Sequence, residues 1–184
     1  MSQRAGAQRC IVLIGFMGAG KTSVGRALAR LLRCDFYDLD DIVEQREQKR
    51  VAAIFASSGE AAFRRMESAA LNALLQESAV KSDLVIALGG GAFVQQQNRA
   101  ALETAGTITI LLEAPLEELH RRCNGENKVR PLAREKERFD ELFAARRADY
   151  ALARFKVQTL GKSVEQIATE IERLLSAAKV EVGE

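Results

Sequence analysis

A glycine-rich segment at residues 15–22, with the sequence GFMGAGKT, constrains the fold of this chain more than any other feature. It fits the phosphate-binding pattern G-x-x-x-x-G-K-[ST], in which backbone N–H groups turn toward anionic oxygens. The apolar run Cys10–Ile14 precedes it and indicates a buried strand, and an amphipathic stretch with Val24, Leu28 and Leu31 on one helical face follows it. Strand, glycine loop and helix in this order predict a nucleoside triphosphate site.

The side chains of this loop have definite expected roles in phosphate chemistry. Lys21 is expected to neutralise the outer phosphates, and the Thr22 hydroxyl is expected to coordinate Mg²⁺. A glycine-rich turn without a nucleotide would explain neither of these two residues. The residues predicted to contact ATP in this region are Gly18, Ala19, Gly20, Lys21, Thr22 and Ser23.

Composition indicates one globular domain of ordinary size and excludes several other classes of protein. The chain has 184 residues, 47% of them hydrophobic, and a formal net charge of +2, which is too small to indicate nucleic-acid binding. Three cysteines without a C-x-x-C pair indicate neither a disulfide framework nor a zinc site. The apolar runs are strand-sized and the first nine residues lack a signal-peptide core. We therefore expect a cytoplasmic monomer with no membrane or nucleic-acid partner.

Short apolar runs alternate with helical patterns along the whole chain, which predicts a single α/β domain with a parallel sheet covered by helices on both faces. Helical patterns begin near Lys21, Asp41, Gly59, Gln95, Pro115, Glu135 and Ser163. A polar, glycine-containing segment at about residues 123–134 is long enough to be a mobile lid, and the tail after Ala178 is expected to fray. The five predicted strands are Cys10–Ile14, Asp35–Asp38, 84–88, 107–112 and 155–159.

Carboxylates follow the second predicted strand, where ligands of open α/β sheets bind. In a strand, Asp38 and Asp40 project to the same side two residues apart, so that one could hold Mg²⁺ or a hydroxyl proton while the other binds substrate hydroxyls. The alternative is that Asp40 or Asp41 caps the next helix, which explains one aspartate of the three.

Three consecutive glycines, Gly89, Gly90 and Gly91, follow the third predicted strand. They suit a place where a small ligand approaches the backbone closely, although a plain flexible turn is the alternative. Arginines at positions 64, 130 and 146 are candidates for an anionic acceptor, because an arginine fork binds carboxylate through two hydrogen bonds. For any single arginine, a solvated surface position is the simpler interpretation.

These features in this order resemble the shikimate kinase family, from about Ile11 to Thr159. The loop has the family's G-x-M-G-x-G-K form, and Asp38 and Asp40 match its D-x-D motif. Cys123 stands where the family has a hydroxyl residue, and the lid is about one residue longer. The remaining matching segments are Ile54-Phe55, Gly59-Glu60, Phe63-Arg64, Gly89-Gly90-Gly91, Arg130-Pro131-Leu132 and Arg146 four residues before Tyr150.

The resemblance implies transfer of the γ-phosphate of ATP to the 3-hydroxyl of shikimate, with Mg²⁺ as the metal. It implies that Asp38 belongs to the magnesium and catalytic-base region, and that Lys21 and Arg130 act in catalysis, Arg130 from the lid. It also implies that Arg122 contacts the adenine. The implied shikimate site consists of Asp40, Arg64, Gly89, Gly90, Gly91 and Arg146.

Two other functions compete with this interpretation. Another small-molecule kinase of the same architecture, such as a gluconate kinase, would share the nucleotide half, but Phe63-Arg64 and the three glycines argue against it. A catalytically silent protein that uses ATP to control a partner would not need Lys21, Asp38 and Arg130. Within the shikimate site, the choice of Arg146 over Arg147 depends on its spacing from Tyr150.

Overall fold

The computed structural model of the protein describes residues 9–78, 83–125 and 136–181. Within these residues, five strands alternate with seven helices along the chain. In chain order they are β1 (Cys10–Ile14), α1 (Lys21–Leu32), β2 (Asp35–Asp38), α2 (Leu39–Glu47), α3 (Val51–Ser78), β3 (Leu84–Ala87), α4 (Gln96–Thr104), β4 (Ile108–Glu113), α5 (Leu116–Gly125), α6 (Lys136–Tyr150), β5 (Phe155–Gln158) and α7 (Val164–Glu181).

The five strands form one parallel sheet in the order β2-β3-β1-β4-β5. This arrangement confirms the predicted α/β class and all five predicted strands. Because β1 lies at the centre, the chain runs from it first toward the β2 and β3 side and later toward β4 and β5. The crevice outside the carboxyl ends of the strands is where such sheets bind ligands.

Burial explains why these runs form the central strands. Every residue of β1 and β3 is buried, as expected of strands that helices cover on both faces, whereas the edge strand β2 is partly exposed. On α1, Val24 and Leu28 are buried as predicted, but Leu31 is 49% exposed, so the predicted apolar face ends before it. No helix of the described residues combines the length and apolar content needed to cross a membrane.

The structure corrects several predicted helix boundaries. Helix α2 begins at Leu39 and not near Asp41. Helix α3 begins at Val51, before the predicted start, and Gly59 interrupts it with φ 76° and ψ 172°. Helix α5 continues to Gly125 and α7 to Glu181, so the first residues of the predicted lid and of the predicted frayed tail are helical. The rest of the lid, with Arg130, and residues 182–184 lie outside the described residues.

Candidate active site

The phosphate loop joins β1 to α1, and its glycines have conformations that other residues adopt only with strain. Gly18 and Gly20 have φ of 81° and 92°, in the left-handed region. A methyl carbon at Gly18 would also lie 2.7 Å from the Leu119 carbonyl oxygen and 2.9 Å from Cys123 Sγ. The loop therefore packs directly on α5, and Ala19 of the loop is buried.

Lys21 is the first residue of α1 and folds back over the loop. Its Nζ donates to the carbonyl oxygens of Gly15 at 2.8 Å and Phe16 at 3.1 Å. An ammonium group held there lies at the helix N-terminus, where backbone N–H groups already favour an anion. Gly20 is the N-cap of α1, and Thr22 and the exposed Ser23 follow Lys21 in the first turn of the helix.

Asp38 connects the phosphate loop to the end of β2. The Thr22 hydroxyl donates to Asp38 Oδ2 at 2.7 Å, and Asp38 Oδ1 accepts from the Asp40 backbone N–H at 3.2 Å. Asp38 is thus the N-cap of α2, a role that the sequence analysis considered for Asp40 or Asp41. The expectation that Asp38 and Asp40 project from one strand is wrong, because Asp40 already lies in the first turn of α2.

The Thr22 and Asp38 oxygens fit the requirements of Mg²⁺. This ion prefers hard oxygen ligands, keeps several waters and is usually held by one or two carboxylates together with substrate phosphates. Within the part of the chain that the structure describes, no group of three or more His, Cys, Asp or Glu side chains could hold a metal by itself. The donor set therefore suits a Mg²⁺ ion bound together with a nucleotide.

The three glycines after β3 form a floor, which we call the glycine floor (Gly89, Gly90 and Gly91). Each glycine has a functional side chain where a Cβ would be. A methyl carbon at Gly89 would lie 2.6 Å from Asp40 Oδ1, at Gly90 3.1 Å from Arg146 Nη1, and at Gly91 2.3 Å from Arg64 Nη2. None of the three has positive φ, so space and not backbone conformation requires glycine here. The same methyl carbon at Gly89 would lie 2.7 Å from Glu67 Oε1, so the structure brings two carboxylates and two guanidinium groups together on the floor.

Arg64 is held by two glutamates of its own helix. Its Nη1 donates to Glu67 Oε2 at 2.8 Å, and its Nε and Nη2 both donate to Glu60 Oε1, at 3.3 and 3.1 Å. The Glu67 side chain is fully buried, and its Oε1 has no hydrogen-bond partner among the residues that the structure describes. Burial raises the pKa of the Glu67 carboxyl above its ordinary value, Arg64 opposes that shift, and the nearby Asp40 adds to it.

Arg146 and its neighbour Arg147 have different surroundings. Arg146 lies beside Gly90 and 5.9 Å from the centre of the Phe16 ring, which belongs to the phosphate loop. Arg147 lines a cavity of about 160 Å³ beside the carboxyl end of β4, together with Phe16 and Tyr150. The buried Tyr150 hydroxyl donates to the Gly90 carbonyl oxygen, and burial raises the pKa of Tyr150, so that this hydroxyl keeps its proton. Of the two arginines, Arg146 is therefore the one at the glycine floor.

Arg122 joins α5 to the phosphate loop and to the segment after β5. Its Nη1 donates to the Gly18 carbonyl oxygen at 3.4 Å and to Thr159 Oγ1 at 3.1 Å, and its Nη2 donates to the Thr159 carbonyl oxygen at 3.2 Å. Glu118 accepts from Arg122 Nε at 2.7 Å and fixes the guanidinium. This position is beside the loop, and contact with an adenine there stays a prediction.

Two side chains at the glycine floor were not found from the sequence. Glu67 lies on the buried face of α3, three residues after Arg64, and a glutamate at that spacing is usually a surface ion pair. Tyr150 served only as a marker for the spacing of Arg146. The one available signal was the clustering of acidic residues around Phe63-Arg64, which did not distinguish a buried carboxylate from an exposed one.

The phosphate loop and the glycine floor belong to one continuous site. Thr22 contacts Asp38, Asp38 caps the helix that carries Asp40, and Asp40 lies against Gly89. A triphosphate-binding loop next to a glycine floor that carries carboxylates and two arginines defines a small-molecule kinase of the phosphate-loop class.

Comparison with known proteins agrees with this class and narrows it. The family profile described as "Shikimate kinase" matches residues 17–176. A protein named shikimate kinase from Persephonella marina is 37% identical over 163 residues, which cover 89% of this chain and 96% of that protein. The chain belongs to the shikimate kinase family.

Solved structures give the same result for the fold. A structure described as shikimate kinase from Acinetobacter baumannii in complex with shikimate superposes with a TM-score of 0.84 at 33% identity, and the match covers 94% of this chain and 96% of that one. A gluconokinase from Sinorhizobium meliloti superposes with a TM-score of 0.62 at 16% identity, covering 94% and 97%. The second likeness shows a shared fold alone.

Proposed function

We propose that this protein transfers the γ-phosphoryl group of ATP to the 3-hydroxyl of shikimate, giving ADP and shikimate 3-phosphate for aromatic amino-acid biosynthesis. The glycine floor carries the proposal, because it gathers Asp40, Arg64 and Arg146 beside the phosphate loop. Shikimate has one carboxylate and three hydroxyls. One acceptor carboxylate and two planar guanidinium groups complement that set of charges and donors.

The contacts of Arg64 suggest how the carboxylate would bind. Its Nε and Nη2 edge faces Glu60, whose side chain is 67% exposed, whereas its Nη1 is held by the fully buried Glu67. An exposed partner is readily displaced, so a substrate carboxylate would take the place of Glu60 while Glu67 keeps the guanidinium oriented. Arg146 would approach the same carboxylate from the Gly90 side, and Asp40 would accept from the hydroxyls.

Phosphoryl transfer then depends mainly on position and on neutralisation of charge. Lys21 would move from the loop carbonyls to the outer phosphates, and Thr22 and Asp38 would hold Mg²⁺, which neutralises phosphate charge when bound. Asp38 would also accept the proton of the reacting hydroxyl. Arg130 as a lid residue and Arg122 and Ser23 as nucleotide contacts belong to the proposal. We also propose that the protein is a monomer in the cytoplasm.

Measurement of ADP release tests the proposal, with three reactions run in parallel: shikimate, gluconate and no acceptor. We expect turnover only with shikimate. The Lys21→Met variant is the control, because it keeps the fold but should lose at least about 100-fold in kcat. Turnover with gluconate would favour the other small-molecule kinase, and equal ADP release without an acceptor would contradict an acceptor kinase.

A further inference from the structure

The segment between β3 and α4 has no regular structure, and side chains from two helices satisfy its carbonyl groups. Buried carbonyl groups need hydrogen-bond donors, which regular strands and helices supply from the backbone. Here side chains of α4 and α6 donate in addition to the backbone N–H groups of the turns. The Tyr150 hydroxyl donates to Gly90, Asn98 Nδ2 to Ala92 at 2.9 Å, and Arg99 Nη1 to Phe93 at 2.8 Å and Val94 at 2.7 Å.

Arg99 also reaches across to the end of α6. The same Nη1 donates to Asp149 Oδ1 at 2.8 Å, and the two side chains are 22% and 27% exposed. Asp149 is next to Tyr150 in the last turn of α6, and Arg146 lies one turn earlier on that helix. A single guanidinium therefore ties the segment after the glycine floor to the helix that carries Arg146.

The Arg99–Asp149 ion pair and the Tyr150–Gly90 hydrogen bond both hold the last turn of α6 against the segment between β3 and α4. Tyr150 fixes the height of α6 over Gly90, and the pair fixes the helix against Phe93 and Val94. Loss of one attachment leaves the last turn of α6 able to shift relative to the glycine floor. Arg146 Nη1 would then move from its position near Gly90, because a helix transmits a shift of its last turn to the preceding one.

We infer that Arg99 and Asp149 are positioning residues for the acceptor site: they set the distance between Arg146 and the glycine floor, and thereby the affinity for the acceptor's carboxylate. This inference rests on the proposed function. It assigns no contact with the substrate to either residue. The phosphate loop also touches α6, because the rings of Phe139 and Phe143 pack edge-on against Phe16 at 5.0 and 5.3 Å. Both phenylalanines lie earlier on the helix than Arg146, so a shift of the last turn should affect the acceptor more than the nucleotide.

Steady-state kinetics of Asp149→Asn test the inference. The asparagine keeps the size of the side chain but loses the charge that anchors Arg99. We expect KM for shikimate to rise about five- to tenfold, with KM for ATP and kcat within about twofold of wild type. Tyr150→Phe, which removes the hydroxyl at Gly90, should give the same division between the two substrates.

A matched control separates positioning from general stability. Asp83 pairs with Arg9 at the amino ends of β3 and β1, the ends of the sheet away from the site. The Asp83 and Arg9 side chains are 25% and 19% exposed, close to the values for Asp149 and Arg99. Asp83→Asn should lower the melting temperature by an amount similar to that for Asp149→Asn and leave KM for shikimate unchanged. If both variants raise KM for shikimate equally, the inference is overturned.

A double-mutant cycle with Arg146→Lys tests the route of the effect. If Asp149 acts through Arg146, Asp149→Asn should raise KM for shikimate much less in the Arg146→Lys background than in wild type. Fully additive effects would contradict the inference. Turnover of shikimate by the wild-type protein is measured first and tests the proposed function separately. If the wild-type protein does not turn over shikimate, the proposed function and the positioning inference both fail. If it does, the changes in KM for shikimate and in KM for ATP decide the positioning role alone.

Discussion

The guanidinium of Arg64 lies against the backbone of Gly91, so closely that a methyl carbon at position 91 would be 2.3 Å from Nη2 and 2.5 Å from Cζ. Only glycine leaves room for the arginine in this position. The obstructed atoms belong to the far end of a flexible side chain and not to the backbone. A larger residue at 91 would therefore displace the guanidinium without requiring the strand or the loop to move.

Gly91→Ala should remove acceptor binding while the protein stays folded. The displaced arginine would no longer lie where the carboxylate binds, and loss of a charge-assisted pair should lower shikimate affinity at least about tenfold. Gly90→Ala provides a graded comparison, since its methyl carbon would lie 3.1 Å from Arg146 Nη1 and needs a smaller shift. Calorimetric titration with shikimate and with ADP measures both. Equal affinity of wild type and Gly91→Ala for shikimate would refute this role for the glycine.

Arg64→Lys should be strongly impaired although it conserves charge. An ammonium group is a point charge and cannot contact Glu67 with one nitrogen while two others face a carboxylate. We expect KM for shikimate to rise at least about tenfold with little change in KM for ATP. The neighbouring Arg65 is exposed and serves as the control, because Arg65→Lys should behave as wild type. Normal kinetics for Arg64→Lys would make Arg64 a packing residue.

Substitutions at Asp38 should separate its chemical role from its helix cap. Asp38→Asn keeps an oxygen that accepts from the Asp40 N–H but loses the charge, so kcat should fall about 100-fold or more with nearly unchanged stability. Asp38→Ala loses the cap as well, which costs about 1 kcal/mol of unfolding free energy. Kinetics and chemical denaturation of both variants give the comparison.

Asp40→Ala completes that comparison, because it should weaken shikimate binding and leave ATP binding intact. If Asp38→Asn and Asp40→Ala lower ATP affinity equally, the two roles are wrongly assigned.

The buried carboxyl of Glu67 should make stability depend on pH. Its raised pKa means that the native state binds this proton more tightly than the unfolded chain does. The contribution to stability is therefore full below the ordinary value of 4.5 and is lost as pH rises through the higher native pKa. Glu67→Gln lacks this titration, so its stability relative to wild type should rise with pH over that window. Denaturation curves at several pH values measure the difference, and parallel profiles would contradict the prediction.

The strands β1, β3 and β4 were predictable because each is a short apolar run that the sheet wholly or largely buries, whereas the edge strands β2 and β5 mix polar and apolar residues and are partly exposed. The helix starts that were predicted wrongly have two different causes. Asp38 ends β2 and at once caps α2, so the helix begins two residues before the predicted Asp41. Gly59 breaks α3 within a region whose first part has only one buried apolar residue, Ile54, and thus little helical periodicity.

At the site, the motifs predicted which residue types meet but not how they are held. Arg64 and the three glycines were candidates from the sequence, whereas the contact of Arg64 with Gly91 depends on how α3 packs against the loop after β3. Asp149 and Arg99 are 50 positions apart and neither belongs to a recognisable motif. An ion pair of this kind can be identified only in the folded structure, where α4 and α6 lie close together.

The most direct test of the central claim is phosphorus NMR of the product formed from ATP and shikimate by the wild-type protein. We predict ADP together with one new phosphomonoester signal that is coupled to the proton on carbon 3 of shikimate. The Gly91→Ala variant should form this product at least about tenfold more slowly at a shikimate concentration below the wild-type KM. Release of inorganic phosphate alone, or a phosphomonoester at a different hydroxyl, would contradict the account.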